Sequence, residues 1–138
     1  MAETLILDAE AVHALAHASE RRVLADRARA LLTVAHEKRA LVRVPTPVLS
    51  EVCRGPRHNS AINHLLNSRG IGVIDLTRSI AQQAGHLLAR AKLTSAHAID
   101  AFVVATALQF DTAVIATGDP ADIQRLASPF RHVRVFAL

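Results

Sequence analysis

Short apolar runs alternate along this chain with longer stretches whose apolar residues recur every three or four positions. The first kind reads as buried strand and the second as amphipathic helix. Thr4–Leu7 is the first strand, ending at the carboxylate of Asp8, and a short helix through Val12 and Leu15 follows. Ser19 stands where a residue would cap the next helix, Glu20–Arg39, with Leu24, Ala28, Leu31, Leu32 and Ala35 as its apolar stripe. Leu41–Val44 is the second strand. Thr46-Pro47 has the form of a helix start, Thr as N-cap and Pro in the first position. Val48, Glu51 and Val52 then share a face, half-burying Glu51, before Gly55-Pro56 interrupts the pattern. A helix over Ala61–Asn67 ends near Gly70, and Gly72–Leu76 is the third strand. Thr77 caps a helix through Lys92 whose buried stripe is Ile80, Ala84, Leu87, Leu88 and Ala91. Ala98–Phe110 is apolar nearly all round, which predicts a buried helix. Ala113–Ala116 is the fourth strand, Asp119-Pro120 opens a helix to about Ala127, and Val133–Phe136 is the fifth strand.

This alternation predicts a parallel sheet flanked by helices. At 138 residues, with no Gly/Ser-rich or Pro-rich linker and no repeat, the simplest organisation is one domain over 1–138. Hydrophobic residues at 51% against 20% charged argue for a packed globule rather than disorder. Aromatics are only 3%, so Ala, Val, Leu and Ile must build the core. The same scarcity excludes a stacked aromatic platform for single-stranded nucleic acid. Cys53 is the single cysteine, which rules out an intramolecular disulfide and fits a reducing compartment. With no signal-peptide pattern and no apolar run of roughly 18 residues, the expected location is the cytoplasm. The net charge is +4, and all but Lys38 and Lys92 of the basic residues are Arg. Arg forks match phosphate geometry, although a GC-rich genome produces the same bias.

The acids sharpen this picture. Asp8 and Asp119 both follow predicted parallel strands, where open α/β sheets bind their ligands. Asp100 is the only charge between Ala98 and Phe110, and burying a carboxylate is costly unless it is paired or bound to a metal. Glu51 follows another strand-to-helix transition. Each acid also has a plainer role. Asp8 suits a helix cap, Asp100 a first-turn acid, and Glu51 an ion pair with Arg54. Asp119 suits a cap with Asp122 reaching back in a capping box, and Thr117 adds a hydroxyl beside it. Together, Asp8, Glu51, Asp100 and Asp119 can converge at one sheet edge. There their mutual repulsion is relieved by a hard divalent cation, Mg²⁺ or Mn²⁺. Other chemistries are less well served. The His residues show no zinc-like spacing, His13 and His17 at i,i+4 lack an HExxH context, and Cys53 reads as a packing residue. No P-loop or GxGxxG is present.

Four segments occur in order along the chain: Leu5-Ile6-Leu7-Asp8, Val48-Leu49-Ser50-Glu51-Val52, Asp100-Ala101-Phe102-Val103-Val104-Ala105-Thr106-Ala107 and Thr117-Gly118-Asp119-Pro120-Ala121-Asp122. In order and spacing they resemble the PIN-domain family, specifically the VapC-type toxins of bacterial toxin–antitoxin pairs. The resemblance implies a three-layer α/β/α sandwich with a central, mainly parallel sheet. It implies a Mg²⁺- or Mn²⁺-dependent endoribonuclease in which Asp8 and Asp100 match the main metal-binding acids and Glu51 and Asp119 the supporting ones. Asp122 matches a further acid of the last motif, although the capping role suits it better. Also implied are an RNA substrate, a cognate antitoxin and a homodimer. The mechanism expected is hydrolysis of an RNA phosphodiester by metal-activated water, with Glu51 orienting that water or binding a second ion. Arg54 and Arg57, just beyond Glu51, are candidates for positioning phosphate. One rival is a PIN-like module that binds RNA or antitoxin without turnover. A receiver-like phosphoacceptor is another, but Asp8 is followed by Ala9 rather than a second acid, and the late Lys is missing.

Overall fold

The computed structural model of the chain describes residues 3–67 and 70–138. Its strands are β1 (Thr4–Leu7), β2 (Leu41–Pro45), β3 (Ile71–Ile74), β4 (Ala113–Thr117) and β5 (Val133–Ala137). They form one sheet in the order β3-β2-β1-β4-β5. Every pairing is parallel. The central strand β1 is therefore also the point where the chain changes direction. It runs outward through β2 to β3, returns, and runs outward through β4 to β5. Such a switch point opens a crevice beyond the carboxyl ends of the two central strands, here β1 and β4.

Helices cover both faces. The β1–β2 connection carries α1 (Ala9–Ala16) and α2 (Arg22–Glu37), and the β2–β3 connection carries α3 (Thr46–Val52) and α4 (Pro56–Leu66). The return past β1 carries α5 (Arg78–Ala91) and α6 (Ala98–Ala107), with a 3₁₀ turn over Ser95–His97 between them, and α7 (Pro120–Ala127) joins β4 to β5. The helices α1, α2 and α4 pack together on one side, and α5, α6 and α7 on the other. Helix α3 touches both α1 and α6, closing one end of the sheet. Right-handed crossovers to opposite sides of the central strand place the two sets on opposite faces. The α/β fold with a central parallel sheet is as the sequence predicts.

Several boundaries differ for identifiable reasons. Ser19 does not cap α2; the N-cap is Arg21, which makes no side-chain capping bond. Thr46 lies inside α3 rather than capping it, and its hydroxyl accepts from the Leu76 N–H at 3.0 Å, tying α3 to the strand end after β3. Gly55, at φ 109°, interrupts the chain only briefly, because Pro56 at once restarts a helix. By contrast, Thr77 caps α5 as expected, accepting from Ile80 N–H at 3.1 Å.

The core is aliphatic. Leu5, Ile6, Leu7, Val44, Val48, Val104 and Ile115 are buried, while the four Phe residues (102, 110, 130 and 136) stand half-buried or exposed at its margin. Ile6 has no exposed surface, so Ile6→Ala should lower unfolding free energy by about 2–5 kcal/mol. Val23 is 73% exposed, and Val23→Ala should stay within about 0.5 kcal/mol. Urea unfolding followed by circular dichroism measures both, and equal effects would contradict the placement of the core.

Candidate active site

The switch-point crevice collects the acids. Asp8 is the first residue after β1, and its backbone N–H donates to the Ala116 carbonyl of β4 at 3.2 Å. Its carboxylate caps α1, with Oδ1 accepting from Ala11 N–H at 2.9 Å. It is only 5% exposed. Capping and facing the crevice are therefore the same placement. At the end of β4, Thr117 is fully buried. Its Oγ accepts from the Asp119 N–H at 2.9 Å, and its hydroxyl donates to Asp8. One threonine thus locks the end of β1 to the turn that presents Asp119.

Asp100 lies half-buried in the first turn of α6, where the helix N-terminus favours a negative charge. Asp119 is exposed at the N-cap of α7 but makes no capping bond with its side chain. Glu51 is in the last turn of α3 and exposed rather than half-buried. Its partner is not Arg54, which donates instead to the Glu51 backbone carbonyl at 3.2 Å. Asp8, Glu51, Asp100 and Asp119 nevertheless line one cleft of about 190 Å³, together with Ala9, Glu10, Ile99 and Val103. A shallow groove lined by Glu10, His13, Arg21, Glu51 and Val52 continues from it.

Burial and repulsion set the titration of the cluster. Burial lifts the Asp8 carboxyl from 3.8 to about 6, and Glu10 adds to the rise. Hydrogen bonds from Thr117, Ala11 and Gly118 hold it down. Asp100 is likewise raised from 3.8 to about 6, first by burial and then by Asp119, Asp122, Asp8 and Glu51 in turn. Oxygen donors that repel one another in a confined cleft are the donor set that suits a hard divalent cation.

Asp122 sits differently from expectation, and Glu10 joins the site without having been singled out from the sequence. Asp122 does not reach back to complete a capping box, because the Asp119 N–H is already taken by Thr117. It faces His97 instead, Oδ2 to Nδ1 at 3.4 Å, and contributes to the field on Asp100. Glu10, two residues after Asp8, belongs to the cleft and pairs with Arg21. Its side chain lies over Gly118, where a Cβ would come within 2.8 Å of the Glu10 Cβ. One-turn spacing was the available signal for both Asp122 and His97. Asp122 follows Asp119 by three positions, and His97 precedes Asp100 by three. Among the described residues, Arg54 and Arg57 do not line the acidic cleft. Arg57 lines a separate cavity of about 540 Å³ with Leu15, Arg29 and His64.

Comparison with known proteins adds two findings. A family profile for the PIN domain matches residues 5–128. No curated protein matches the sequence significantly. A similar solved structure is that of VapBC2 from Rickettsia felis bound to a DNA fragment from its promoter. It has a TM-score of 0.65 at 13% identity and covers 98% of each chain. At that identity the likeness is one of fold.

The raised acids make stability pH-dependent in the metal-free protein. A protonated Asp8 contributes stability that is fully present below its unfolded value of 3.8 and is lost as the pH rises through about 6. Asp8→Asn removes the ionisation while keeping an oxygen for the Ala11 cap. In chelator at pH 7.5 the variant should be more stable than wild type by about 1–3 kcal/mol, with the gap closing near pH 4. Thermal melts across that range measure it. A variant that is destabilised equally at both pH values would show that the carboxylate is not held under strain.

Proposed function

Because the chain belongs to the PIN-domain family, we propose that it is a divalent-metal-dependent endoribonuclease and acts as the VapC-type toxin of a toxin–antitoxin pair. The observation that carries this reading is the convergence of Asp8, Glu51, Asp100 and Asp119 on one cleft at the sheet's switch point. Four acids from four separate segments have no structural need to meet there. The fold likeness to VapBC2 supports the toxin assignment.

In this reading Asp8 and Asp100 hold the cation, Mg²⁺ or alternatively Mn²⁺, and Asp119 supports it directly or through water. When bound, the cation neutralises charge at the scissile phosphate and acidifies water. Thr117 keeps Asp8 oriented. Glu51, exposed at the cleft margin, orients the attacking water and accepts its proton. Ile99 and Val103 give the cleft an apolar wall that limits bulk water. Arg54 and Arg57 lie outside the cleft and would take phosphates further along the strand. A cognate antitoxin would cover the acidic opening, and the toxin would pair with a second copy of itself. No described helix is long and apolar enough to cross a membrane; the proposed site of action is the cytoplasm.

The test uses purified protein and total RNA with Mg²⁺, with Mn²⁺ and with chelator. Cleavage should require the metal. Asp8→Asn and Asp100→Asn should each reduce it by roughly a hundredfold or more, since several kcal/mol of charge stabilisation is at stake. Equal cleavage by both variants and wild type would sink the metal-site mechanism. RNA retention without cleavage under any metal would favour a non-catalytic binding module.

A further inference from the structure

We infer that His97 is a nitrogen donor to a cation shared with Asp100 and Asp122, a mixed nitrogen–oxygen subsite beside the cleft. The inference rests on the metal-dependent reading above and deepens it.

One ring nitrogen of His97 and one carboxylate oxygen each from Asp100 and Asp122 lie within 4.8 Å of one another. Donors about 2.1 Å from a common ion stand roughly 3–4 Å apart, so little closure is required. Direct pairing explains the arrangement less well. His97 Nδ1 and Asp122 Oδ2 are 3.4 Å apart, longer than the roughly 2.7–2.9 Å of a charge-assisted hydrogen bond. Nor is the imidazole occupied in capping. His97 is the N-cap of α6 but makes no side-chain capping bond, and the preceding 3₁₀ turn is capped by Thr94, whose Oγ accepts from Ala96 N–H at 3.3 Å.

The three residues come from two helix starts that face each other. His97 and Asp100 lie one turn apart at the start of α6, and Asp122 is in the first turn of α7. Of the three, only Asp100 also lines the cleft. It therefore stands between two donor sets, one of oxygens alone and one containing an imidazole. That difference has a chemical consequence. Mg²⁺ strongly prefers oxygen ligands, whereas imidazole suits first-row transition ions. A cation on the His97 side is selected toward Mn²⁺ and the later ions of the series.

The experiment titrates Mn²⁺ into the purified full chain and reads ¹⁴N coupling by pulsed electron paramagnetic resonance. Wild type should show the coupling and His97→Gln should lose it. The same substitution should weaken Mn²⁺ binding about tenfold by calorimetry, in the range found when a metal site's supporting groups are removed, and Mg²⁺ binding far less. Bound Mn²⁺ without ¹⁴N coupling in wild type overturns the inference and leaves the acidic site standing. So does coupling that persists in His97→Gln. Failure to bind either ion overturns the metal-dependent reading as well. The wild-type spectrum decides the matter even if the variant does not fold.

Discussion

A carboxylate buried at the end of the central strand is the constraint on which the rest of the site depends. Desolvation opposes the charge of Asp8, and the nearby Glu10 opposes it further. Only three hydrogen bonds act the other way, from Thr117, Ala11 and Gly118. All three donors exist because of topology. Ala11 is the first-turn N–H of a helix that starts just beyond β1, while Thr117 ends β4 and Gly118 follows it, β4 being paired with β1 in register through Leu7 and Ala116. Shifting β4 by one residue would turn Thr117 to the other face and leave Asp8 without its hydroxyl partner.

The sheet can hold that register because its core is small and aliphatic. Ala101, Ala105 and Ala107 on α6, and Ala11 and Ala14 on α1, are buried, so small side chains fill the interior on both faces of the sheet. This brings the first turn of α6, with Asp100, up to the end of β1. Gly118 makes a similar allowance on the other side. The Glu10 chain lies where its Cβ would be, so the turn between Thr117 and Asp119 passes directly beneath α1.

Much of this was legible in the sequence, and the remainder was hidden for physical reasons. The strands could be read because runs such as Leu5-Ile6-Leu7 and Ala113–Ala116 are buried on both faces, which demands continuous apolar residues. The convergence of Asp8, Glu51, Asp100 and Asp119 could be read because each stands at a strand or helix junction. Capping was less legible, since it is decided by competition for individual N–H groups. Asp119 and Asp122 have capping-box spacing, yet the Thr117 hydroxyl takes the Asp119 N–H first. Thr46 looks like an N-cap, yet its hydroxyl is claimed by the N–H of Leu76, in the segment after β3. For Thr46 the partner lies 30 residues away in sequence, and no pattern within a few residues records it; for Asp119 a threonine two residues upstream takes the N–H ahead of the acid three residues downstream. His97 was hidden differently. Its spacing to Asp100 is visible, but the group that gives it a proposed role, Asp122, arrives on another helix.

The cluster also explains why the same residues that cost folding stability at neutral pH suit the protein to the proposed chemistry. A cleft that raises Asp8 and Asp100 to about 6 holds carboxylates that are ionised at neutral pH only at a cost in folding stability. That cost is an attraction for any divalent cation, because binding removes the repulsion among Asp8, Glu51, Asp100 and Asp119 at the moment it forms new bonds. In the proposed metal-dependent reading, folding and ion binding would be coupled in the direction that favours the loaded state. Neutralising one acid would release part of the strain and part of the affinity together. The placement of Thr117 limits how far this goes. By donating to Asp8 it favours the anion, the form in which Asp8 would hold a cation in the proposed reading. A threonine with no exposed surface thus governs the site without entering the cleft.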